Sequence, residues 1–207
     1  FFRKADPMKL AVQAWGGSAT IGTLPEGDDG VAATIAAMQA VVDDALTDPV
    51  SLALLRRLVA EFGISLTGPG VFAFCKEWVR FAKDPAGMEL LRTPAYVAAG
   101  LLYGEKAVRA WCDCDDLALL GCALLALGGY APVLCTVGRS ATGRWEHVFF
   151  GFEIRPGGPL NSDSVLPLDP QELAAPGEWP LDVERVALWR MRPARPASTL
   201  TGGELAP

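Results

Sequence analysis

Apolar residues recur at helical spacing through the N-terminal part of the chain and give way to strand-like runs after residue 130. Ile35, Met38, Val42 and Ala45 fall on one face of a helix that Asp28-Asp29-Gly30 opens and that runs to about Leu46. Acidic residues in or just before its first turn suit the positive end of the helix dipole. Asp48-Pro49 ends this helix and begins a second, which carries Leu52, Leu55, Leu58 and Val59 to a stop at Gly63. A third is predicted from about Pro69 to Ala82, with Phe72, Cys75, Val79 and Phe81 toward the core and Asp84-Pro85 beyond it. Residues 84–110 read as mixed structure with turn signals at Pro94, Gly100 and Gly104. The fourth helix starts near Asp115 and ends at Gly128-Gly129. Leu117, Leu120, Gly121, Leu124 and Leu125 give it the i, i+3, i+4, i+7, i+8 pattern of a buried face.

Extended runs occupy 9–23, 132–137, 144–154, 165–168 and 183–191, with a Gly138–Gly143 turn making a hairpin of the second and third. From Pro193 onward there is little to bury, and a mobile tail is expected. No internal repeat is visible. Helices first and strands second predict an α+β domain, a helix packed against an antiparallel sheet. The expected organisation is one domain over 1–192: an extended segment at 1–27, a helical part at 28–83 and a catalytic core at 84–192. The tail follows at 193–207.

Composition narrows the function classes. The 207 residues are 51% hydrophobic and 20% charged, enough apolar material for a core. A formal charge of −6 repels phosphate backbones and gains nothing from an anionic membrane, so neither nucleic acid nor membrane is expected as a partner. Leu117 to Gly138 carries no charge, but Gly128-Gly129 and Pro132 interrupt it. A buried helix followed by a buried strand explains it better than a membrane span. Five cysteines, an odd number without a disulfide framework, point to a reducing compartment. The start, Phe1-Phe2-Arg3-Lys4, reads as a processed end without a signal peptide. A cytoplasmic or virion-associated location is the expectation.

The densest chemistry lies in Trp111-Cys112-Asp113-Cys114-Asp115-Asp116, at the mouth of the apolar helix. A cysteine at a helix N-terminus meets the positive dipole end and free N–H groups, which favour thiolate. Asp115 and Asp116 oppose it, so a further group must stabilise the anion. The single histidine, His147, sits in the strand Trp145-Glu146-His147-Val148-Phe149-Phe150. Antiparallel packing of that strand on the helix is the expected way to bring it over Cys114, as base to nucleophile. Asp169, after the short run Leu166-Pro167-Leu168, is the candidate to orient the imidazole.

Taken together these residues resemble the transglutaminase-like branch of papain-type cysteine enzymes, closest to small bacterial and phage or prophage proteins. There a Gly-Asp-Cys-Asp-Asp motif opens a buried helix, a histidine sits on a later strand, and an aspartate follows in a Leu-Asp-Pro setting. Cys112-Asp113-Cys114-Asp115-Asp116 matches four of five positions, with Cys112 replacing glycine; His147-Val148 and Leu168-Asp169-Pro170 match the rest. Asp84-Pro85-Ala86-Gly87-Met88-Glu89 and Arg92-Thr93-Pro94 are similar to the segment preceding the motif, and the similarity spans roughly 20–170. The resemblance implies a papain/transglutaminase-like fold, a Cys114-His147-Asp169 triad and an acyl-enzyme. It implies release of the acyl group to water or to an amine without saying which. Hydrolysis of a peptide or amide bond is the expectation, since the small chain shows no separate modules around the core to wall off an amine site, with acyl transfer the other outcome. A protein or peptide is the substrate, and phage structural proteins are possible partners.

No cofactor and no metal is expected. The glutamine that often serves as oxyanion donor in papain-type sites is missing, since no Gln or Asn lies between Gln39 and Asn161. The Cys114 N–H supplies one donor, and Trp78, Trp111, Tyr96 or Tyr103 is a candidate for the second. Two other readings compete. One is a catalytically silent module of a phage particle. The other is a metal site on Cys112, Cys114 and His147, which lacks the usual zinc spacing.

Overall fold

A computed structural model describes residues 8–14, 17–104, 110–139 and 145–191, without the side chains at 20, 21, 110 and 111. The predicted tail and most of the predicted 138–143 turn lie outside the described residues. The fold is mixed α+β. Its elements in chain order are β1 (Lys9–Ala14), β2 (Gly17–Thr23), α1 (Asp28–Thr47), α2 (Pro49–Phe62), α3 (Gly68–Trp78), β3 (Val79–Phe81) and β4 (Met88–Arg92). Then follow α4 (Pro94–Tyr103), β5 (Ala110–Cys112), α5 (Cys114–Leu127), β6 (Pro132–Arg139), β7 (His147–Glu153), β8 (Val165–Leu168) and β9 (Val183–Arg190).

Three of the helices start by the same local chemistry. Asp48, Thr67 and Thr93 each accept a hydrogen bond from a backbone N–H three residues on, at 2.7, 3.2 and 3.2 Å, and proline follows within the first turn. The side chain satisfies a donor the helix cannot, and proline gives up none that the helix would use.

α5 is the centre of the molecule. Every residue from Asp115 to Leu125 is buried, so its apolar character runs round the whole helix and not along one stripe. α1, α3 and α4 pack against it, and β7 and β6 cover another flank. Its leucines contribute about 1.5–3 kcal/mol each on burial. A tight turn after Gly128 leads into β6, so the uncharged run at 117–138 is a buried helix and a buried strand. Among the described residues no helix is long and apolar enough to cross a membrane.

β6 is paired antiparallel with both β7 and β9, and β8 closes the other edge, giving the order β8-β7-β6-β9. Pro167 lies in β8, an edge strand, where a missing N–H is tolerated. One face of this sheet packs on α5 through Leu134, Phe150 and Leu168. The other carries a second cluster of Val133, Cys135, Val137, Phe149 and Val165.

Several expectations change. The third helix stops at Trp78, because 79–81 pair in parallel with Ala110–Cys112; Phe81 is 51% exposed instead of facing the core. The extended run 9–23 is a hairpin, and its first strand also pairs in parallel with β4. The mixed segment 84–110 contains β4 and α4. Gly100, read as a turn signal, is inside α4, and Gly104 is its C-cap.

Candidate active site

Cys114 is the first residue of α5, and it is partly exposed, whereas Cys75, Cys112, Cys122 and Cys135 are buried. Burial pushes all four of those thiols well above the ordinary cysteine range. His147 opens β7. Its Nε2 lies 2.7 Å from Oδ2 of Asp169, and Cys114 is near enough on its other side to help raise its pKa. With Nε2 committed to Asp169, Nδ1 is the nitrogen left to serve the sulfur.

The three meet through register. β7 and β8 pair Phe150 with Leu168, so the next residues place Asp169 opposite Phe149 and diagonal to His147. On the helix side, Gly121 touches Phe150, and Tyr130, past the helix end, packs edge to face with Phe152 at 4.7 Å. The strand therefore runs in the same direction as α5, not antiparallel to it as expected, and the two N-termini coincide. The distances match. Cys114 is about 10 Å from Gly121 along the helix, and His147 is about 10 Å from Phe150 along the strand.

Asp169 is fixed on both sides. Its Oδ1 accepts from the N–H groups of Gln171 and Glu172 at 3.1 and 3.3 Å, which leaves Oδ2 aimed at the imidazole. Burial alone would lower the His147 pKa. The bonds to Asp169 and Cys114 outweigh it and carry the value up to about 10. The ring therefore holds a proton through neutrality and supplies the positive charge that a Cys114 thiolate needs.

Carboxylates crowd the helix mouth. Asp116 Oδ1 accepts from the Arg92 N–H at 2.5 Å, and its Oδ2 accepts from Arg92 Nη1 at 2.5 Å and from the Asp113 N–H at 3.4 Å. Arg92 also reaches Asp84 at 3.4 Å. Burial raises Asp84 to about 6, Glu89 to about 7 and Asp116 to about 8, with neighbouring carboxylates adding to it and Arg92 opposing it at Asp84 and Asp116. Asp115 is raised well above the ordinary carboxylate range, by burial first and then by Asp113. The counter-charge to the acidic first turn is Arg92, which sequence reasoning missed. A carboxylate as buried as Asp116 needs a cation, and the sequence carries no local cue to which one supplies it.

Trp78 packs edge-on against Phe62 at 4.9 Å in the core. Tyr103 accepts a hydrogen bond from Arg57 on α2 at 3.0 Å and lies under its guanidinium. Tyr96 accepts from Gln13 on β1 at 3.0 Å. Each thus has a structural engagement elsewhere, and the side chain of Trp111 lies outside the described residues. The first N–H groups of an α-helix lack intrahelical partners, and α5 begins at Cys114.

Among the described residues, two groups of side chains have the spacing to hold a metal ion: Asp113, Asp115 and Asp116, and His147, Asp169 and Glu172, each with ligand atoms within 4.8 Å. The expected alternative of Cys112, Cys114 and His147 is not among such groups in the described residues. Asp113 Oδ1 and Asp115 Oδ2 are buried without a hydrogen-bond partner. An all-oxygen set of this kind suits a hard cation.

A cavity of about 800 Å³ adjoins the histidine through Glu172, with Arg139, Trp179, Pro180 and Leu181 along its wall. Glu172 is ion-paired with Arg139. Comparison with family models, with curated proteins and with solved structures finds no match for this chain.

Proposed function

We propose that the protein is a thiol hydrolase of peptide or amide bonds, of the transglutaminase-like, papain-type kind that its motifs resemble. The observation that carries this reading is His147, hydrogen-bonded through Nε2 to Asp169 at 2.7 Å and with the partly exposed Cys114 as its other polar neighbour. In the reaction the Cys114 sulfur attacks the amide carbonyl carbon. The carbonyl oxygen becomes an oxyanion facing the free N–H groups at the start of α5. The C–N bond then breaks, and protonated His147 gives its proton to the departing amine. His147, now neutral, takes a proton from water as the water oxygen attacks the thioester. Collapse releases the carboxylic acid and returns the thiolate–imidazolium pair. Asp169 keeps the ring in one orientation throughout.

The test is trapping of the intermediate. Protein mixed with activated peptide esters and quenched in acid should carry the acyl mass on the peptide that contains Cys114. The Cys114→Ser and His147→Ala variants should not accumulate a thioester. Failure of every ester to label Cys114, with the thiol still free to alkylating agents, would favour a silent binding module.

A further inference from the structure

We propose that the cavity beside Glu172 is a subsite for a cationic side chain, lysine or arginine, of the peptide whose amide is cleaved; this rests on the hydrolase reading above. Charge is the first argument. Glu172, Glu178 and Asp182 line the cavity, against Arg139. Arg139 is already paired with Glu172. The nearby Lys76 is spent on the carbonyls of Leu173 and Ala174, at 2.5 and 3.5 Å. Glu178 and Asp182 pair with no cation among the described residues, so the cavity offers two uncompensated carboxylates.

The wall supplies the second argument. Trp179 gives the cavity an aromatic surface, and a guanidinium or ammonium is attracted to such a face. The tryptophan stands edge to face with Phe149 at 5.9 Å, and Phe149 lies 5.7 Å from the His147 ring. One run of aromatic contacts thus links the cavity to the reacting imidazole. The Glu172 carboxylate is within 4.8 Å of His147 and Asp169, so one side chain separates the cavity from the triad.

The backbone supplies the third. Asp182 has φ 59°, and among the described residues it is the one non-glycine in the left-handed region. Aspartate tolerates that conformation better than most residues, yet it still carries strain, and such strain collects at binding sites.

The experiment uses full-length Cys114→Ala protein, which binds without turnover, titrated calorimetrically with three capped peptides: acetyl-Gly-Arg-Gly-amide, its lysine analogue and its leucine analogue. The basic peptides should bind at least about tenfold tighter than the leucine peptide. The Glu178→Gln/Asp182→Asn double variant should bring all three level; both positions are exposed, and asparagine keeps the left-handed turn. Equal binding of the three peptides, or a basic preference that survives the double variant, overturns the proposal. With the native thiol restored, basic peptide esters should yield acids. If instead the lysine peptide emerges joined through its side-chain amine to an acyl group, the cavity holds the acyl acceptor and the substrate assignment is overturned. Tight basic binding without any Cys114 adduct would sink the hydrolase reading and leave the cation subsite standing.

Discussion

Gly121 of α5 lies directly against the ring of Phe150 on β7, and a Cβ built on it would overlap that ring. This contact sets how closely the helix approaches the strand, and it lies an equal distance from Cys114 and His147. Gly121→Ala should therefore act twice. Overpacking should destabilise the fold by about 1–3 kcal/mol, read by chemical denaturation. The displaced helix should also draw the thiol from the imidazole and slow its alkylation. A variant that keeps both stability and thiol reactivity would show that α5 is not seated by this contact.

Iodoacetamide should label Cys114 before the other four cysteines. It is the partly exposed thiol, and burial pushes the others above their ordinary range. Because His147 is protonated up to about pH 10, its positive charge stands beside the sulfur across the neutral range and should keep alkylation of Cys114 fast at pH 6. In His147→Ala the rate at pH 6 should fall at least about tenfold and then climb with pH as an ordinary thiol does, with a midpoint near ~8.5. Mass mapping of the labelled peptides decides it. Labelling of Cys112 first, or a flat profile in the variant, would contradict the arrangement.

The crowded carboxylates predict a pH dependence of stability. Asp84, Glu89, Asp115 and Asp116 all have folded pKa values raised above those of the unfolded chain, three of them to about 6, 7 and 8. The folded state thus holds protons that the unfolded state has released. Their contribution is complete below the unfolded carboxylate range, near pH ~4, and is lost as pH rises through 6 to 8. His147 works in the same direction over a higher window, from ~6.5 to about 10. Thermal melts should give a higher Tm at pH 5.5 than at pH 8.5. Asp115→Asn should remove part of that slope, since the amide has no proton to lose. A Tm that rises with pH would reverse the sign of the argument.

How much of this was legible in the sequence follows from where each interaction lies along the chain. α5 and β6 were readable because their uncharged run is interrupted only by Gly128-Gly129 and Pro132. The candidate triad was readable because chemistry limits the choices: one histidine, one cysteine at the mouth of an apolar helix, and one aspartate closing a short strand. The direction of β7 was not, since it depends on the turn after Gly128 and on the pairing of β6 with β7. β3 and β5 are three residues each and exist through pairing across 31 positions, from Val79 to Ala110, so no local period announces them. Arg92 was invisible for the same reason. Its partner Asp116 lies 24 residues away, and neither residue has a local cue for the other. The oxyanion candidates were chosen by residue type alone, and Trp78, Tyr96 and Tyr103 turn out to be engaged with Phe62, Gln13 and Arg57.

The acyl-enzyme should partition to water rather than to an amine. A transferase must hold an amine against the thioester and keep water away until aminolysis is complete. Within the segment read as mixed structure, the described stretch 88–103 is regular: β4 is tied into a sheet with β1, and α4 packs on α2 and α5. That part is anchored scaffold, so closing it over a bound acyl group would require breaking a sheet and a helix packing. With 88–103 held in place, the thioester is open on that side to water, which is in large excess over any added amine. The measurement supplies an activated glutamine or peptide ester together with a primary amine and separates acid from amide product. Acid should dominate at millimolar amine, and the amide fraction should rise in simple proportion to amine concentration. Saturation of amide formation at low amine would mean that a binding site for the acceptor exists, and the assignment as a hydrolase would give way to acyl transfer.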